Sequence, residues 1–189
     1  MRLLARAGVL TLLTAATLQA TVIVPIDFGE LTTSAQAVVY ARVIEVTPVV
    51  TDDRSRVEST VNAEAIGYMK GDLGRSIVLR VPGGQVGAYR TVMVGAPSFE
   101  RGDEVVLFLG TRTARVASQG LQPYLVGFSQ GVYRVRIDPR TGTRVVIPPP
   151  AIATGETIVL TRGTRTPMAL EAFAAEVRAA SVGLPRRVR

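Results

Sequence analysis

Apolar and polar positions alternate with a period of two along much of this chain, which predicts strands. A long strand is predicted over Arg56 to Met69, with Val57, Ser59, Val61, Ala63 and Ala65 on one face. Val38 to Val50 is rich in β-branched residues. From Tyr40 its alternation sets Arg42 opposite Val43 and Glu45 opposite Val46. Ser76 to Val81, Gln85 to Val94 and Glu104 to Leu109 continue the sheet. Within the last of these, Val105 to Leu109 is wholly apolar, the pattern of a strand buried on both faces. Tyr124 to Phe128 and Gly131 to Ile137 read as the next pair, and Arg144 to Ile147 as a return strand. Thr157 to Thr161 is a weak last strand. Helical spacing occurs twice. Leu31, Ser34, Ala35 and Val38 mark a short helix within Asp27 to Ala37. Leu170, Phe173, Ala174 and Val177 share one face of a second helix, 167–180. There Thr166 is the expected N-cap and Pro167 the first helical residue, and Gly183 and Pro185 stop the helix.

Turn residues divide these runs. Lys70 to Gly74, Pro82-Gly83-Gly84 and Pro97 to Gly102 are turns, and Asp138 to Gly142 is a hairpin loop. Thr111 to Gln122 is polar and reads as a loop. Gly127 and Gly131 flank Phe128-Ser129-Gln130, which suggests a bulge within a strand. Pro148-Pro149-Pro150 is a stiff linker. About seven or eight strands in antiparallel order, with a helix at each end, predict a mainly β fold: a small antiparallel β-barrel.

The 189 residues fit one domain, 21–189, behind a targeting segment. Met1 to Ala20 has the form of a secretory signal: Arg2 and Arg6 supply the positive start, and Ala7 to Leu18 carries no charge. The apolar run is too short for a spanning helix, and no cysteine is present to carry a lipid, so no membrane anchor is expected after cleavage near Ala20. A secreted or periplasmic location follows. Aromatics are 5% of the chain and tryptophan is absent, so Val, Leu, Ile and Ala must build most of the core. The absence of cysteine rules out disulfides and thiolate metal sites. The absence of histidine rules out Ser-His-Asp, Cys-His and His-ligated zinc chemistry. No cofactor is implied.

The formal charge is +7, or +5 once a leader holding Arg2 and Arg6 is removed. The arginines are scattered singly, without interleaved aromatics, which favours a solvated basic surface over nucleic-acid binding. Arg186-Arg187-Val188-Arg189 reads as a frayed tail.

Four stretches could carry chemistry. Gly83 and Gly84, with Gly87, could cradle an anion on backbone N–H groups, although neither a helix nor a Lys-Ser/Thr pair follows; a tight turn is the plainer reading. Asp52-Asp53 lacks the third spaced carboxylate a calcium loop needs. Glu100, Asp103 and Glu104 are close enough in sequence to suggest an acid pair, but acidic residues before a buried strand usually mark an exposed turn. Phe128, Ser129 and Gln130 sit on a bent segment, where a ligand or partner contact competes with a structural bulge.

Several motifs together resemble a family of exported bacterial β-proteins to which no chemistry is assigned. They are Tyr68-Met69-Lys70-Gly71, Val81-Pro82-Gly83-Gly84, Gly95-Ala96-Pro97-Ser98-Phe99-Glu100-Arg101-Gly102-Asp103-Glu104, Leu107-Phe108-Leu109 and Gly127-Phe128-Ser129-Gln130-Gly131. Met69 stands where the pattern has Leu, and Asp103 is inserted before Glu104. The layout is also similar to OB-like barrels of the netrin and tissue-inhibitor kind, without the cysteine by which such inhibitors clamp zinc. The resemblance implies an OB-like barrel. With histidine, cysteine and an acid-pair geometry absent, the residues favour an extracytoplasmic binding or protein-interaction module, with a secreted protein as the partner. The alternative is an enzyme of unknown type, a carboxylate-based hydrolase or one working through Ser129 without histidine. The residues expected to touch a partner are Phe128, Ser129, Gln130, Gly83 and Gly84.

Overall fold

A computed structural model of the protein describes residues 24–51, 55–113, 121–150, 152–154, 157–159 and 166–182. The leader, Asp52-Asp53 and the Arg186–Arg189 tail lie outside the described residues.

The fold is mainly β and antiparallel. Helix α1 (Phe28–Ser34) starts where Asp27 caps it, its carboxylate accepting from the Glu30 N–H at 2.7 Å. Strands β1 (Ala37–Val50), β2 (Val57–Lys70) and β3 (Ser76–Pro82) follow as a meander. A small hairpin of β4 (Gly84–Val86) and β5 (Tyr89–Thr91) leads to the central strand β6 (Glu104–Thr113). Next come β7 (Leu121–Leu125), a single 3-10 turn (Phe128–Gly131), β8 (Val132–Ile137) and β9 (Arg144–Ile147). A separate ladder of β10 (Ile152–Thr154) and β11 (Thr157–Val159) precedes β12 (Met168–Ala169) and α2 (Leu170–Val182). The main sheet has the order β12-β9-β8-β6-β1-β2-β3, with β7 also paired to β6. At the far end β3 lies against β7 without sharing a ladder.

The sheet is buried on both faces where β1 and β6 meet, and the side-chain period of two explains how. Val39, Ala41, Val43, Val105, Leu107 and Leu109 enter one core with Val61, Ala63, Ile77 and Leu79. Val38, Tyr40, Val106 and Phe108 enter a second core under the two helices. Four rings meet there. Phe28 of α1, Phe108 of β6, Tyr133 of β8 and Phe173 of α2 pack edge-on or tilted, with centroids 5.0–6.5 Å apart. Three of the chain's five phenylalanines thus join one cluster, and it fastens both helices to the sheet.

The structure departs from the sequence reading at five places. Gln85 to Val94 is not a strand of the main sheet. Positive φ at Gly83, Gly84 and Gly87 turns the chain into the β4–β5 hairpin, and Val92 to Val94 leave the ladder. The region read as a loop from Thr111 to Gln122 is strand at both ends, Thr113 pairing with Leu121. Tyr124 to Phe128 does not pair with Gly131 to Ile137; β7 and β8 both pair with β6, and the bulge between them is the 3-10 turn. Thr157 to Val159 pairs only with β10. Finally, Thr166 and Pro167 do not start the second helix. Met168 and Ala169 extend and add to β9, which holds the backbone in β geometry until Leu170.

Candidate functional site

The turn at Val81-Pro82-Gly83-Gly84 folds the β4–β5 hairpin onto the β1–β2 tip. The Gly83 N–H donates to the Val57 carbonyl at 3.0 Å, and Ser59 Oγ donates to the Gly83 carbonyl at 2.8 Å. The Val57 N–H donates to Thr91 Oγ1 at 2.7 Å. Gly84 sits at φ 139°, and a Cβ there would meet Ser59 Oγ at 2.9 Å and Pro48 Cβ at 3.2 Å. Gly84 is therefore required by close approach as well as by its φ, and Gly83 by its φ of 107° alone. The anion cradle is not assembled, because the Gly83 N–H is already engaged and Gly84 is paired with Thr91. The hairpin and the segment that follows it expose apolar residues beside Gln85 and Arg90: Tyr89, Val92 and Val94 are largely open to solvent.

Gly127 to Gly131 forms the second candidate. Gly127 has φ 69° and Phe128 φ 56°. Phe128 is the one non-glycine residue with positive φ among the described residues, and about half its surface (46%) is open to solvent. Ser129 is half-buried, and its N–H donates to the Gly95 carbonyl at 3.3 Å. This contact brings the two candidate segments together: Val94 and Phe128 flank a hydrogen-bonded pair. Gln130 departs from expectation. It is 8% exposed, its Nε2 donates to the Val24 carbonyl at 3.0 Å, and its Oε1 accepts from the Ile26 N–H at 2.9 Å. The amide therefore clamps the segment leading into α1 and is not presented to a ligand. Gly131 allows this geometry, since a Cβ there would lie 2.1 Å from the Val126 carbonyl oxygen.

Of the three acidic residues at the start of β6, Asp103 and Glu104 have their carboxylates engaged, whereas Glu100 is exposed and contributes its backbone N–H. Glu104 accepts from Tyr40 Oη, from Arg42 at 2.7 Å and from Arg144 at 3.2 Å. Burial raises the Glu104 pKa, but the hydrogen bonds from Tyr40, Arg42 and Arg144 outweigh it and hold the carboxyl below its ordinary range. Tyr40 is pushed up to about 12, first by burial and then by the hydrogen bond and charge of Glu104. Asp103 pairs with Arg134 and accepts from the Glu100 N–H at 2.8 Å. Arg134 also donates to the Ser98 carbonyl and lies 5.5 Å from the centre of the Phe99 ring. An ionised tyrosine base at neutral pH is thus disfavoured, and Asp103 and Glu104 are drawn to different arginines. The register Arg42↔Glu104 builds the four-residue cluster, and nothing in the local sequence marks it.

Lys70, the only lysine, was not singled out from the sequence. Its ammonium donates to the carbonyls of Thr32, Thr33 and Ala35 at 2.7, 3.3 and 2.6 Å, capping the C-terminus of α1. Burial lowers its pKa. Gly71 lets the strands approach there, for a Cβ would lie 2.3 Å from the Gln36 carbonyl oxygen. Among the described residues no group of three or more acidic side chains could hold a metal ion, and no helix is long and apolar enough to cross a membrane.

Comparison with protein-family models, with characterised proteins and with solved structures finds no match for this chain.

Proposed function

We propose that this protein is an extracytoplasmic protein-interaction module built on a small OB-like barrel, exported by its leader and belonging to the exported bacterial family it resembles. Two observations support the barrel: β3 lies against β7, and a single apolar core runs between them. In this reading side-chain packing would close the seam that no ladder spans.

One observation carries the functional reading. Phe128 is held in the left-handed region with its ring outward, in a chain with few aromatics to expose. Left-handed backbone costs a non-glycine residue about 1–2 kcal/mol, and such outliers concentrate at functional positions. Exposed Val92 and Val94 beside it enlarge the apolar surface. The hydrolase reading is the weaker one, because Asp103 and Glu104 are taken up by ion pairs.

A photo-crosslinking residue placed at position 128 tests the module in its native host. A discrete adduct is expected there and none from the same group at Ile137, an exposed position on β8. Equal labelling at both positions, or none at 128, refutes the reading.

A further inference from the structure

Resting on the interaction-module reading, we infer that the surface formed by Val92, Val94 and Phe128, with Met93 at its margin, docks a protein segment that presents an apolar side chain framed by carboxylates. The surface is held in place and is not a free loop tip. The Ser129 N–H ties its two halves at Gly95, the Ala96 N–H turns back to the Met93 carbonyl at 3.2 Å, and the Gly83–Gly84 turn anchors the hairpin beneath. Exposure is 74% at Val92, 70% at Val94 and 46% at Phe128. Aromatic residues, Met and Arg are the types enriched where proteins meet, and Tyr89, Arg90, Met93 and Phe128 supply all of these here.

Charge selects the partner. Between Asp72 and Glu100 the chain carries Arg75, Arg80 and Arg90 and no acidic residue. Arg75 pairs with Glu64, whereas Arg80 and Arg90 are exposed and make no ion pair with a described residue. Between Glu104 and Asp138 acidic residues are again absent. A partner carboxylate therefore finds an unpaired guanidinium at Arg90, beside the apolar surface. An anionic bilayer fits less well. It presents a uniform negative field, and an exposed carboxylate, Glu100, follows this surface in the chain. A protein can place its acids away from it, which a lipid surface cannot.

The test pans a random peptide library against the full chain and then titrates one enriched peptide. Enriched peptides should carry Asp or Glu within a few residues of an aromatic or aliphatic anchor. Phe128→Gly and Val94→Ser should each weaken the titrated peptide at least tenfold. Arg90→Ser should weaken it severalfold and flatten its salt dependence, while Ile137→Ser should leave it unchanged. Glycine accepts φ 56° freely, so Phe128→Gly removes the ring without straining the turn. Peptides that lack acids, or that bind both surface variants normally, overturn the inference and leave the module reading standing. Sedimentation with phosphatidylglycerol vesicles that depends on Val94, without peptide enrichment, overturns the protein occupant. Failure of peptides and vesicles alike, together with no adduct at position 128, removes both readings.

Discussion

Replacing Lys70 by Met should cost about 2–3 kcal/mol. The ammonium caps α1 from β2, a strand more than thirty residues away in sequence, by donating to the carbonyls of Thr32, Thr33 and Ala35. A hydrogen bond to a charged group nets about 1.5–3 kcal/mol, and a cation at a partly buried helix C-terminus up to about 2 kcal/mol. These figures describe one contact in two ways and do not add. Methionine keeps the stem's apolar contacts and leaves the carbonyls without this donor. Relief of the desolvation that lowers the Lys70 pKa offsets part of the loss, which holds the expected cost within a single interaction's range. For a domain of this size each kcal/mol lowers Tm by about 2–4 °C, so Tm should fall roughly 4–12 °C. Urea titration of both proteins, with m-values compared, measures the difference directly. A loss under about 0.5 kcal/mol at unchanged m would show that α1 holds without the cap, and that Lys70 is a surface residue resting on it.

Phe108→Ala and Phe173→Ala should each cost about 3–5 kcal/mol in the same titration, because both rings lie in the four-ring cluster at 1% exposure or less; a loss near zero at Phe173 would mean α2 is not docked. The raised Tyr40 pKa predicts stability that is complete below pH 10 and lost as pH rises from 10 to about 12, an interval worth at most about 3 kcal/mol and less where solvent screens the hydroxyl; Tyr40→Phe should reduce that alkaline slope and leave the part due to Tyr68, whose pKa burial also raises. The lowered Glu104 pKa acts in the opposite window: its contribution is present above the ordinary carboxyl range and lost as pH falls through the depressed value, so Glu104→Gln should flatten the acid limb of a stability–pH curve. Mass spectrometry of the exported protein should find a chain that begins near Thr21, and an intact Met1 would remove the export proposal.

Patterns confined to one segment were legible in the sequence. The apolar run Val105 to Leu109 gave a strand buried on both faces, and of the predicted inward face of β2, Val57, Val61 and Ala63 are buried while Ser59 and Ala65 are partly so. Pairings between distant segments were not legible. Leu121 to Leu125 contains a proline and alternates poorly, so its partner could not be read locally; it pairs with β6 where Gly110 admits Tyr124, at a position a Cβ would fill at 2.5 Å from the ring. Thr166-Pro167 is a sound helix start by local rules, yet a two-residue ladder to β9 displaced it. Of the five expected contact residues, Gly83 and Gly84 seat the hairpin, Gln130 clamps the segment before α1, Ser129 is half-buried with its N–H on Gly95, and Phe128 faces solvent. Gln130 shows why residue type alone misleads: a polar side chain between two glycines is available to a ligand only if no backbone needs it, and Val24 and Ile26 do.

The motifs behind the family resemblance have physical reasons that are independent of any ligand. Lys70 caps α1 and Gly71 admits Gln36; Gly83 and Gly84 seat the hairpin; Phe99 is buried beneath Arg134; Gln130 clamps the segment before α1 and Gly131 admits Val126. Each solves a problem of close approach or of an unpaired backbone group, so the pattern specifies a scaffold. Sharing it implies sharing the fold and says little about what is bound. The discriminating positions are those the scaffold leaves unconstrained. Tyr89, Arg90, Val92 and Val94 lie outside these motifs, and Phe128, though within one, stands at a backbone conformation glycine would adopt with less strain. A substitution that makes this turn more comfortable and the protein no less stable, yet silences its contacts, would locate the function where the fold has no use for the side chain.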